Sequence, residues 1–148
     1  MEEESKTNLQ AKILYLPLVY TGLLSIWSFA NPNIIGFVVL SYLFLFGVIF
    51  SLKQILSDQP VKFGTWGLLG IYTLFYFVWI ILTLRDFSIE TPVSITEAVL
   101  KFLIGPTAFL YVRFKKPWLS WVLVTLAIFT PIIASIHIVL FPTRPLDF

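Results

Sequence analysis

The chain has 148 residues, of which 58% are hydrophobic and 18% aromatic, and no cysteine. Charged residues make up 12% and the formal net charge is +2, against roughly 25% charged residues in soluble domains. These values exclude a soluble domain, which could not cover so much apolar surface, and they exclude disulfides, thiol catalysis and Cys-based metal sites. The small net charge gives no footing for nucleic-acid binding.

Residues 1–12 are polar, with Glu2, Glu3 and Glu4 set against Lys6 and Lys12. A secretory signal would be basic there and its apolar region shorter, so no cleavage is expected. Five apolar stretches follow, at 13–30, 34–52, 64–84, 95–112 and 118–141. Each is close to the roughly 20 helical residues that cross a bilayer core. The predicted fold class is all-α: an integral membrane protein with one compact bundle of five transmembrane helices over 13–141. Residues 142–148 form a short tail in which Pro142 and Pro145 prevent helix.

The connections are short. Asn31-Pro32-Asn33 reads as a tight turn that makes the first two helices antiparallel neighbours. Lys53–Phe63 and Arg85–Ser94 read as polar loops, and Arg113–Pro117 as a compact basic turn. With five spans, Lys6, Lys12, Lys53, Lys62, Arg113, Lys115 and Lys116 share one side, against Arg85 and Arg144 on the other. That bias predicts a cytoplasmic N-terminus, in a plasma (inner) membrane. The fourth stretch is the least apolar, carrying Glu97, Lys101, Gly105 and Pro106. A re-entrant segment with four spans is the alternative, but it would turn the basic 113–116 segment outward, against the charge rule. Trp27, Trp66, Trp118 and Trp121 fall near span ends, where indoles anchor at the headgroup interface.

Two groups of residues could carry chemistry. In the first, Glu97 and Lys101 are spaced i,i+4 in the order that favours a helical ion pair, with Lys101 expected to snorkel outward. Helical rise puts Glu97, Lys101 and His137 within about 10 Å of the outer ends of their spans. Trp79, Thr83, Arg85 and Asp86 fall in the same outer layer. Ionisable groups in spans avoid lipid, so these are expected to meet inside the protein. The second group is Tyr72, Tyr76, Trp79 and Thr83, one helical stripe that Thr65 and Leu69 extend inward. It suits helix packing or an apolar ligand with a few polar atoms.

Gly64, Gly67 and Gly70, and the pair Gly47 and Ser51, predict close backbone approach within the chain or between subunits. Thr130-Pro131 predicts a kink, with the Thr hydroxyl serving a carbonyl freed by the proline. A single His and no Cys predict no metal and no cofactor, haem included. No catalytic motif is present, so the balance is against an enzyme. In span count and tryptophan content the chain resembles the tryptophan-rich translocator family of five-helix membrane proteins; the likeness is one of architecture and implies no residue roles.

The expected function is that of a subunit or assembly partner of a larger membrane complex, with other membrane chains or further copies as partners. Binding or transport of a lipid or apolar small molecule, in a pocket open to the outer leaflet, is the alternative. An ion or proton pathway through Lys101 and His137 ranks third, because no ionisable relay continues into the inner halves of the spans.

Overall fold

The computed structural model describes residues 2–28, 35–57, 59–86 and 90–141, and among these every regular element is a helix. In chain order they are α1 (Glu2–Ile13), α2 (Tyr15–Ser28), α3 (Ile35–Leu56), α4 (Phe63–Arg85), α5 (Thr91–Phe114) and α6 (Pro117–Leu140). Three of them, α4, α5 and α6, are long and apolar enough to cross a membrane. Within the described residues α2 has 14 residues, fewer than a bilayer crossing takes. In α3 the apolar stretch within the described side chains is Tyr42–Leu56. The turn at Asn31-Pro32-Asn33, the Trp27 side chain and the tail 142–148 with Arg144 lie outside the described residues.

From α2 onward, successive helices run antiparallel. Tyr15 of α2 meets Lys53 of α3, while Gly22 faces Tyr42. Gln54 and Gly47 of α3 meet Thr65 and Leu68 of α4. Trp66, Thr73, Tyr76 and Trp79 of α4 meet Phe109, Gly105, Lys101 and Ser94 of α5 in that order. The ring closes where Tyr20 of α2 donates to Ser135 of α6 at 2.8 Å.

The turn between α5 and α6 is two residues long. Lys115 ends α5 in the left-handed region (φ 50°, ψ 34°), donating its amide to Tyr111 O at 2.7 Å. Lys116 is extended and Pro117 opens α6, where a missing amide costs nothing.

The polar N-terminal segment is a helix, which its lack of apolar periodicity hides. It docks on the bundle at the end that holds the α5–α6 turn: Gln10 is buried and donates to Ser120 Oγ at 2.9 Å. Leu14, at the break before α2, joins the core. That core lies toward the same end, built by Val48, Leu52 and Leu56 of α3, Leu69 of α4, Ala108 of α5, and Leu123 and Ala127 of α6. Outward-facing residues are largely apolar, among them Phe46, Phe50, Ile71, Leu74, Phe109 and Val139. A surface of that composition belongs in lipid.

Two packing expectations need correcting. Gly64, Gly67 and Gly70 have no other group among the described residues within 4 Å of where a Cβ would stand, so of the two approaches expected of them, the one within the chain is not made. Gly47 makes the close approach expected of it, and Gly105 makes a second. A Cβ on Gly47 would lie 2.8 Å from Leu68, and one on Gly105 would lie 1.9 Å from Thr73 Oγ1. Before Pro131, the Thr130 hydroxyl donates to Leu126 O at 2.7 Å. The carbonyl that Pro131 frees is that of Ala127, four residues back, so Thr130 serves a different one.

Candidate functional site

The end of the bundle opposite α1 is polar. Here the C-terminus of α4, the N-terminus of α5 and the C-terminus of α6 come together. Pro92 in the first turn of α5 lets the helix start at Thr91, one turn before the predicted 95. That earlier start puts Glu90, Ser94, Glu97 and Lys101 on one stripe, at spacings of four, three and four.

The stripe faces α6 and α4. Glu97 is the hub. One carboxylate oxygen pairs with Lys101 Nζ, and the other lies 2.7 Å from His137 Nδ1. The second ring nitrogen of His137 lies 2.5 Å from Glu90 Oε1. Both His137 contacts are hydrogen bonds only while two protons are shared among the three groups, since an imidazole lone pair and a carboxylate oxygen repel. The cluster therefore ties the start of α5 to the end of α6 through two charge-assisted contacts.

Lys101 reaches back along α5 toward Glu97 but stays inside the bundle, 6% exposed, with its ammonium 4.9 Å from the centre of the Tyr76 ring. The snorkelling expected for it is thus replaced by a protein partner. Tyr76 in turn stands edge-on to Tyr72, with ring centroids 4.8 Å apart. Tyr72 is 2% exposed and packs against Phe44 of α3. Beyond Lys101 the same face of α5 continues as Ile104, Gly105 and Ala108. On this face of α5, Lys101 is the last charged residue of the cluster among the described residues.

The aromatic stripe of α4 divides. Tyr72 and Tyr76 pack inside, whereas Trp79 and Thr83 line an open cleft of about 330 Å³ at the end of the bundle. Leu82, Asp86, Glu90, Thr91 and Ser94 complete its described wall. Trp79 is 38% exposed and its indole N–H points at Ser94 Oγ, 3.4 Å away. Thr83 donates to Trp79 O at 2.8 Å. Glu90 belongs to both features, closing the ion cluster on one side and the cleft on the other.

Of the residues the sequence singles out, Glu97, Lys101 and His137 meet directly, and Tyr76 joins them through Lys101. Trp79 and Thr83 sit beside this group, linked to it by Glu90 and Ser94. Glu90 and Ser94 are the members that sequence reasoning missed. The signal was present: Pro92 reads as a helix start rather than a loop residue, and Glu90 falls seven residues before Glu97. Comparison with family models, with curated proteins and with solved structures finds no match to this chain.

Proposed function

We propose that the chain is a five-span membrane protein, N-terminus cytoplasmic, that binds a lipid or lipid-like amphiphile in the cleft between α4 and the start of α5. The observation that carries this reading is the cleft itself. It joins an apolar wall, Trp79 and Leu82, to a polar rim, Thr83, Asp86, Glu90 and Ser94. Such a surface matches a molecule with one apolar and one polar end. The cleft is at the end of the bundle that carries few basic residues, which the charge rule assigns to the outer leaflet. The unbroken 24-residue α5, about 36 Å long at 1.5 Å per residue, supports a spanning rather than a re-entrant fourth segment. Purification in mild detergent tests the reading. A defined lipid species co-purifies, and its amount falls several-fold in Trp79→Ala; lipid that only mirrors the bulk membrane, unchanged by Trp79→Ala, refutes it.

A second reading, an assembly partner in a larger membrane complex, is favoured by Gly64, Gly67 and Gly70. Glycine costs a helix about 1 kcal/mol relative to alanine, and no group among the described residues uses the space these three leave. Small residues on a membrane helix allow another helix to approach closely. Native mass spectrometry decides this case: a partner chain or second copy lost in Gly67→Leu supports it, and a monomer in both forms removes it.

A further inference from the structure

We infer that the cleft selects an amphiphile whose polar end is a cation, an ammonium group, drawn from the surrounding bilayer. The inference rests on the amphiphile-binding reading and specifies the chemistry of its headgroup.

Among the described residues, every ionisable side chain on the cleft wall is a carboxylate: Asp86 at the end of α4 and Glu90 at the start of α5. Among the described residues, the nearby cations stand elsewhere. His137 is on the far side of Glu90, Lys101 is a further turn down α5 behind Glu97, and Arg85 is exposed but not part of the wall. The donors on the α4 side of the wall are already engaged. The Trp79 N–H points at Ser94 and the Thr83 hydroxyl hydrogen is spent on Trp79 O. What Trp79 and Thr83 offer a ligand is a π face and oxygen lone pairs, and the two acidic residues offer carboxylate oxygens. All of these are acceptors. An ammonium satisfies them together, through charge-assisted hydrogen bonds to the carboxylates and a cation–π contact with the indole. A phosphate or sulfate head would face the charge repulsion of two carboxylates, with only the Ser94 and Thr91 hydroxyls on the described wall to donate to it. A neutral head would gain hydrogen bonds but neither the attraction of opposite charge nor the cation–π contact. Glu90 is 40% exposed at its side chain even while it holds His137, so it keeps acceptor capacity toward the cleft.

The test uses full-length protein in lipid nanodiscs with Trp79 as the single tryptophan, the other four replaced by Phe. Three amphiphiles share one brominated tail, which quenches indole fluorescence, and differ in head: alkylammonium, neutral sugar and sulfate. A variant retaining only Trp118, exposed at the opposite end of the bundle, reports unspecific quenching. The ammonium amphiphile should quench Trp79 saturably, at a mole fraction about tenfold below that of the neutral one, and not quench Trp118 in this way. Asp86→Asn should lower that preference about threefold. If the neutral head quenches at the same mole fraction as the ammonium, the inference fails while amphiphile binding stands. If no amphiphile quenches Trp79 more than Trp118, both fail. Native mass spectrometry of the unaltered chain in the same mixtures gives the ranking without substitutions, and equal retention of ammonium and neutral heads there also overturns the inference.

Discussion

Glu97→Gln isolates what the hub of the ion cluster contributes. In the native chain the Lys101 and Glu97 side chains are 8% and 12% exposed, so their pairing is shielded from water and from lipid headgroups. The substitution leaves the Lys101 ammonium buried with the Tyr76 ring and an amide in place of a carboxylate. It also replaces one of the two carboxylates that hold His137. Removing one partner of a buried pair costs about 3–5 kcal/mol, because the remaining charge is stranded rather than because the pair itself is strongly stabilising. An amide oxygen still accepts a hydrogen bond from Lys101, so the lower end, about 3 kcal/mol, is expected here. Unfolding by titration of a denaturing detergent into mixed micelles, followed by circular dichroism, measures it. The double substitution Glu97→Gln with Lys101→Met removes the stranded charge and should recover all but about 1 kcal/mol. The reasoning is refuted if Glu97→Gln falls within about 0.5 kcal/mol of the native chain, the range of an ordinary surface change. It is equally refuted if the double variant is no more stable than the single one.

Three further outcomes follow from the packing, the backbone and the topology. Gly105→Ala drives a methyl group into Thr73, whose hydroxyl is held by Leu69 O at 2.7 Å and resists rotation. It should cost about 1–3 kcal/mol by overpacking, more than the roughly 1 kcal/mol gained in helix propensity, and Thr73→Ala in the same chain should recover most of the loss. Lys115→Gly relieves a left-handed residue that is not glycine and should raise stability by about 1 kcal/mol in the same unfolding assay. The chain has no cysteine, so Asp86→Cys and Lys116→Cys are unique thiols. In oriented vesicles a membrane-impermeant maleimide should label Asp86→Cys from the outside and Lys116→Cys only after permeabilisation; labelling of both from one side contradicts the five-span topology.

The fold was legible where apolar length alone decides it. The stretches at 64–84, 95–112 and 118–141 become α4, α5 and α6 with ends shifted by one to four residues. The largest shift, at the start of α5, has a physical origin in Pro92: proline breaks a helix interior but suits its first turn. Missing that start also hid Glu90. α1 was illegible for the opposite reason. Its sequence has no apolar face, and among the described residues it is held by the buried hydrogen bond of Gln10 to Ser120, by Ile13 at its end and by Leu14 just beyond. The convergence of Glu97, Lys101 and His137 was readable from depth, since helical rise fixes height in the bundle. Which neighbour each would choose was not, because that depends on helix rotation. Rotation is set by contacts such as Gly105 against Thr73, and it also turned Gly64, Gly67 and Gly70 away from the bundle.

The site where lipid contacts the chain is the most direct test of amphiphile binding in the cleft. A lipid with a photoreactive group near the polar end of its tail, present at low mole fraction in nanodiscs, labels the residues it occupies. Peptide mapping should find the label concentrated between Trp79 and Ser94, and strongly reduced there in Trp79→Ala. Label spread evenly over the exposed faces of α3, α4 and α6, and unchanged by Trp79→Ala, would show that the cleft holds no lipid in preference to the rest of the surface.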